Sequence, residues 1–140
     1  MVAEVLTPPD EAEVIETCGG RVWLANGIVH EAVDIAHLEL KHVRCLAQGI
    51  RTLVGDDTQS LLLADLGGVR SASSDARAYS SSAELRALVA AQAFVVTSPV
   101  TRVIASFFVR VFHPPFPVRL FAGPDPASAW LHGLRPAASA

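Results

Sequence analysis

Hydrophobic and polar positions alternate with two different periods along the chain, and the period changes mark out the elements. Residues 13–18 (EVIETC) and 21–25 (RVWLA) read as two strands joined across Gly19-Gly20. Asn26-Gly27 is a second turn signal, and the apolar run IVHEAV at 28–33 completes an antiparallel meander. The spacing then shifts to threes and fours through Ala36, Leu40, Val43, Leu46, Ala47, Ile50, Leu53 and Val54. That period predicts an amphipathic helix over 36–54, with Asp34 as N-cap and Gly55 as its stop. Its opposite face carries Lys41, Arg44, Gln48 and Arg51.

LLLAD at 61–65 is continuously apolar, the pattern of a strand covered on both faces. A helix over 74–82, a short helical piece at 83–89 and a second buried strand, AQAFVV at 91–96, follow. Ser98-Pro99 opens a helix over 99–112 whose apolar residues are Val103, Ile104, Phe107, Phe108, Val111 and Phe112. Thr101, Arg102, Ser106 and Arg110 make its narrow polar stripe, and HPPFP at 113–117 ends it. VRLF at 118–121 is a last strand. DPASAWLHGL at 125–134 is a last helix, capped by Asp125 with Pro126 in its first position. This order predicts one α/β domain over 13–134, between tails at 1–12 and 135–140. Its mixed, mostly parallel central sheet would have about five to six strands, with antiparallel N-terminal strands and about four to five helices packed on it.

Composition narrows the function classes. A chain of 140 residues can bury one proper core, and 51% hydrophobic with 18% charged residues describes a globular protein. A net charge of -3 offers nucleic acid no electrostatic attraction. The longest apolar stretch, VIASFFV at 103–109, falls far short of the ~20 residues that span a bilayer, so no transmembrane segment is expected. The N-terminal MVAEVLTPPDEAEV lacks a basic start and an apolar core, which points to a cytoplasmic protein. Cys18 and Cys45 lie in different segments, Cys45 on the core side of its helix, and both read as reduced, inert thiols.

Candidate chemistry is sparse. His37 and His42 are five apart and do not share a helix face, and His30 and Glu31 point to opposite sides of a strand. No HExxH, CxxC or acidic loop of metal spacing occurs, so neither metal nor cofactor is expected. Glu31, Asp34, Asp65 and Asp75 show no pairing for acid–base work, and no GxSxG elbow is present. The expectation is therefore a protein without catalytic residues. LGGVRS at 66–71 lacks the pattern of a phosphate cradle; its glycines let the chain turn out of the sheet. The Lys41–Arg44–Arg51 stripe reads as a solvated helix face, or else as a docking face for an acidic protein or an anionic membrane. The helix over 99–112 reads as a core helix, or else as a dimer face or the wall of an apolar pocket.

LADLGGVRSASSDAR, at 63–77, resembles the signature of STAS domains, the anti-sigma-factor antagonist (SpoIIAA-like) family. In that family a buried strand ends in Asp-Leu-Ser-Gly-Val, and a loop leads to Asp-Ser-Ser-Gly at a helix start. Asp65-Leu66-Gly67-Gly68-Val69 match the first part, and Ser73-Ser74-Asp75-Ala76 occupy the second. Ser74 stands at the family's phosphorylated serine, while Ser73 and Ala76 replace the motif's Asp and Gly. The C-terminal half is similar to a divergent bacterial STAS-like group in SPVTR (98–102), the Pro-rich turn, the strand ending in Phe121 and Ala127–Leu131. The resemblance implies a non-enzymatic regulatory or scaffolding module that works through an unidentified protein partner and forms a homodimer. Gly67, Gly68, Arg70, Asp75 and Arg77 would make the interaction loop. Ser74 or Ser73 would be the phosphoacceptor, against the simpler reading of a helix cap. The divergent group's association with Sec14-type lipid-binding proteins implies an alternative, a carrier or sensor of an apolar or lipid ligand. Phe107, Phe108, Phe112 and Trp130 would then line its site. An uncharacterised enzyme is a third reading.

Overall fold

The computed structural model of the chain describes residues 6–56, 58–79, 81–112 and 114–134. Strands β1 (Val14–Thr17), β2 (Gly20–Ala25) and β3 (Ile28–Val33) form the expected antiparallel meander. The β2–β3 turn works because Asn26 (φ 56) and Gly27 (φ 77) both adopt the left-handed conformation that matches the twist of a tight hairpin. Two-residue strands β4 (His37–Leu38) and β6 (Ser71–Ala72) pair in parallel as a separate ribbon. Between them lie helix α1 (Leu40–Val54) and strand β5 (Ser60–Asp65). Helices α2 (Ser74–Tyr79) and α3 (Ala83–Arg86) lead to strand β7 (Val89–Val95), helix α4 (Pro99–Phe112), strand β8 (Val118–Phe121) and helix α5 (Pro124–Gly133).

The main sheet has six strands in the order β1-β2-β3-β5-β7-β8, antiparallel across the first three and parallel from β3 onward. Strand alternation divides its side chains between two cores. Trp23, Ile28, Leu63 and Ala93 face α5 through Ala127 and Leu131, joined by Leu6 from the segment read as a tail. Val29 and Leu62 face α1 through Ala47 and Ile50, with Tyr79 and Phe116 completing that side. None of the described helices is long and apolar enough to cross a membrane.

Four helices differ in their bounds from the sequence pattern; one is α3, which ends at Arg86 and not at 89, because Val89 already belongs to β7. Helix α1 begins at Leu40 behind Glu39, not at 36 behind Asp34, because His37 and Leu38 are drawn into the ribbon with Ser71 and Ala72. The Glu39 N–H donates to Nδ1 of His42 at 2.9 Å and is satisfied without Asp34. Gly55 does end the helix, at φ 88 with its N–H donating to Arg51 O at 2.8 Å. Helix α2 stops at Tyr79, so 74–82 is not one continuous helix. Helix α5 starts at Pro124 behind Gly123, ahead of the expected cap at Asp125; either proline suits a first turn, and the chain uses the earlier one.

The cysteines overturn the reading of separate thiols: Cys18 and Cys45 are joined in a disulfide, their Cα atoms 5.7 Å apart across a sequence separation of 27. The β1–β2 turn lies directly on α1, which brings the two distant positions together. A Cβ on Gly19 would stand 2.6 Å from His42 O, and one on Gly49 would stand 2.8 Å from Val22 Cγ2, so hairpin and helix meet at glycines. Closing a loop of this length restricts the unfolded chain by about 3.5 kcal/mol in the chain-entropy account. Urea unfolding of Cys45→Ser, and of the reduced wild-type protein, is therefore expected to show a loss of about 3.5 kcal/mol in each case.

Candidate functional site

On β3, Val29, Glu31 and Val33 point to the helical layer while His30 points away, where it stacks on Trp23 with ring centroids 5.5 Å apart. Register continues the Glu31 row across the sheet to Val22 on β2, Ala64 on β5 and Phe94 on β7. The helices cover this row with large side chains such as Leu46 and Ile50 from α1, Tyr79 from α2 and Ile104 from α4, interspersed with the short Ala47, Ala76 and Ala105. Four alanines, Ala64 included, leave space where larger residues would meet. The result is a cavity of about 310 Å³ with Glu31 and Gln92 in its wall. Leu66, Val69, Arg70 and Ser71 bring the loop after β5 to its mouth. Thr101 Oγ1 donates to Val69 O at 3.1 Å and ties that loop to α4.

The Glu31 carboxyl is only 6% exposed. Among the described residues its hydrogen-bond partner is Gln92, whose Nε2 donates to Oε1 over a long 3.5 Å. Loss of water around the carboxyl, without a cation to compensate, raises its pKa to about 7. Burial first, and then the hydrogen bond to Glu84, push the Tyr79 phenol up to about 12. That hydroxyl donates to Glu84 Oε2 at 2.7 Å, and Arg51 pairs with the same oxygen at 3.0 Å. The Tyr79 and Arg51 hydrogen bonds hold the Glu84 carboxyl below its ordinary range. Arg51 is thereby committed to α3, and the basic stripe reduces to the exposed Lys41 and Arg44.

The expected loop residues lie together around the cavity mouth. Asp65 Oδ1 accepts from Gly67 N–H at 2.9 Å, and Gly68 and Arg70 are exposed. Ser73 is engaged as a cap: its Oγ accepts from Ala76 N–H at 3.3 Å and donates to Asp75 Oδ1 at 2.8 Å. The Ser73 hydrogen bond draws the Asp75 carboxyl below its usual range. Arg77 Nε donates to Ser73 O at 3.4 Å, and Ser74 is exposed.

The aromatic set is not brought together. Phe107 is 55% exposed on the outer side of α4 with Val100 and Val103, while Trp130 packs on Phe121 at 5.7 Å on the α5 side of the sheet. The side chains of Phe108 and Phe112 lie outside the described residues. Helix α4 is also turned relative to its sequence pattern. Thr101, expected in the polar stripe, is buried beside Ala105, and Val103 is 70% exposed. Burial lowers the pKa of His30, and His37 Nδ1 hydrogen-bonds Ser71 Oγ. No three His, Cys, Asp or Glu among the described residues are grouped to hold a metal.

Sequence reasoning passed over Glu31 as a site. The available signal was the Val29-x-Glu31-x-Val33 alternation, which puts a carboxyl in a stripe otherwise fit for a core. A raised folded-state pKa means that the native state binds the Glu31 proton more tightly than the unfolded chain. That contribution is complete below the unfolded value of 4.5 and is lost as pH rises through about 7. Unfolding titrations across this window should show a decline of about 3 kcal/mol from Glu31, and Glu31→Gln should flatten it.

The comparisons with known proteins bear on the same segment. A family model described as Domain of unknown function (DUF7793) matches residues 22–135, a span that contains every residue of the cavity wall. No curated protein and no solved structure matches the chain. With well over half its length covered by that model, from within β2 to beyond α5, the chain belongs to the DUF7793 family.

Proposed function

We propose that this protein is a ligand-responsive binding module and not a catalyst. It holds a small, mostly apolar molecule between the sheet and helices α1, α2 and α4, and presents the loop above that molecule to a protein partner. The observation that carries this reading is the cavity itself, about 310 Å³ and closed over Ala64 by side chains from three helices. Its volume is roughly twice that of the engineered ~150 Å³ cavity that takes up benzene, enough for a small ring system or a short chain and too little for a two-tailed lipid.

The STAS-like reading of 65–76 supports the second half of the proposal. The segment that would contact a partner in that family is here the segment at the cavity mouth, with Gly67, Gly68 and Arg70 exposed. Filling the cavity beneath it changes what Leu66 and Val69 pack against, and so couples ligand to partner. A homodimer would use the outer face of α4, where Val100, Val103 and Phe107 are exposed. We read the site of action as cytoplasmic, where a reducing environment would open the Cys18–Cys45 bond.

Ala64→Leu tests the cavity by filling it. The variant should stay within about 1 kcal/mol of wild-type stability, since the added methyl groups enter existing space. In the wild-type protein, dissolved toluene should shift the backbone amide resonances of Glu31, Ala64 and Thr101, and in Ala64→Leu, whose side chain takes up part of that space, those shifts should weaken. A wild-type protein that gives no response to toluene would contradict the reading.

A further inference from the structure

The chemistry at Glu31 says what kind of molecule completes the cavity. Gln92 spends its Nε2 on Glu31 Oε1, which leaves the amide oxygen of Gln92 and the second oxygen of Glu31 as acceptors beside an apolar space. Among the described residues, strands β2, β5 and β7 and helices α1, α3 and α4 bring no titratable or charged side chain to the cavity. The remaining such groups in its wall are Arg70 on the loop and Arg77 and Tyr79 on α2. Tyr79 donates to Glu84, and Arg77 Nε donates to Ser73 O. A buried carboxyl whose one partner among the described residues is a neutral amide at 3.5 Å has its charge uncompensated by them.

We propose that the ligand is a monoamine with a compact apolar body, its ammonium received by the Glu31 carboxylate and the Gln92 side-chain oxygen. This rests on the reading of the cavity as a ligand site and adds the class of ligand. An ammonium has three N–H donors and a positive charge, and so meets both needs of the floor, whereas an alcohol meets only the first. The volume limits the apolar body to about a dozen heavy atoms. Arg70 and Arg77 at the cavity wall oppose a second positive charge, which favours monoamines over polyamines. The amine arrives already protonated. The Glu31 carboxyl gives up its proton to solvent as the N–H···O bonds form, so binding releases about half a proton at pH 7 and about a quarter at pH 7.5.

The test compares octylamine, octanol and octanoate on the full-length protein by titration calorimetry at pH 7.5, in two buffers of different ionisation heat. Octylamine should bind at least about tenfold more tightly than octanol, the usual worth of a hydrogen bond to a charged group. Glu31→Gln should bring the two to equal affinity and abolish the proton release. The wild-type pH series gives the same answer without relying on that variant. Octylamine affinity should rise more than about tenfold from pH 5.5 to 7.5 as the ionised fraction of Glu31 grows, while octanol does not gain. If octanol or octanoate binds as tightly as octylamine, or octylamine affinity ignores both pH and Glu31→Gln, the amine assignment is overturned while the cavity stands as a site. If none of the three binds, the cavity reading falls with it.

Discussion

A carboxyl in the middle of a hydrophobic sheet face is the constraint around which this helical layer is arranged. Glu31 sits on β3 between Val22 and Ala64, away from the strand ends where a charged side chain reaches water easily. Leaving water favours its protonated form, and the surroundings offer a neutral amide in place of a counter-charge. Large apolar residues closing over that group would seal in a poorly satisfied polar atom. The elements above it set alanines among their larger side chains, and the space left there keeps the carboxyl beside a cavity. Burial, raised pKa and cavity are thus three aspects of one packing solution.

The cavity is walled by helices and by a loop. Helix α1, which supplies Ala47 and Ile50, packs on the β1–β2 hairpin through close contacts at Gly19 and Gly49, to which the Cys18–Cys45 bond adds a clasp in an oxidising environment. The loop from Leu66 to Ala72 is held by hydrogen bonds from Leu66 N–H to Val95 O, Gly67 N–H to Asp65 Oδ1, Thr101 Oγ1 to Val69 O and Arg70 and Ser71 N–H to Ala36 O, and by the short β4–β6 ribbon. Opening this loop would uncover the buried Val69 and the partly buried Leu66, so its release is tied to the apolar space beneath it. A loop that packs directly on the cavity and is exposed at Gly67, Gly68 and Arg70 suits a site that reports its ligand at the surface.

Most of the architecture was legible because it is locally encoded. The meander follows from its turn residues, and α4 (Pro99–Phe112) and β8 (Val118–Phe121) have the bounds their sequence pattern predicts. What the sequence hid are relations between distant positions. His37 and Leu38 look like the first turn of a helix until Ser71 and Ala72 arrive to pair with them. Cys18 and Cys45 look unrelated until the hairpin lies on α1. Helix α4 buries Thr101 in place of Val103 because the Thr101 hydroxyl meets Val69 O, while its small neighbour Ala105 allows close approach to the sheet. Phe107 and Trp130 share apolar character and end on separate surfaces, so these two do not line the one pocket that the resemblance implied for them. Glu31 was visible as a residue, and its importance lies in what the other elements leave around it.

The most direct measurement is the titration of the Glu31 side-chain carboxyl carbon by NMR in the ligand-free protein, assigned with Glu31→Gln. A midpoint near 7 is expected for a carboxyl enclosed by the sheet and helices with Gln92 as its partner. A midpoint at the ordinary value of 4.5 would mean that water reaches Glu31 freely, and would contradict the account of the cavity and of the ligand it receives.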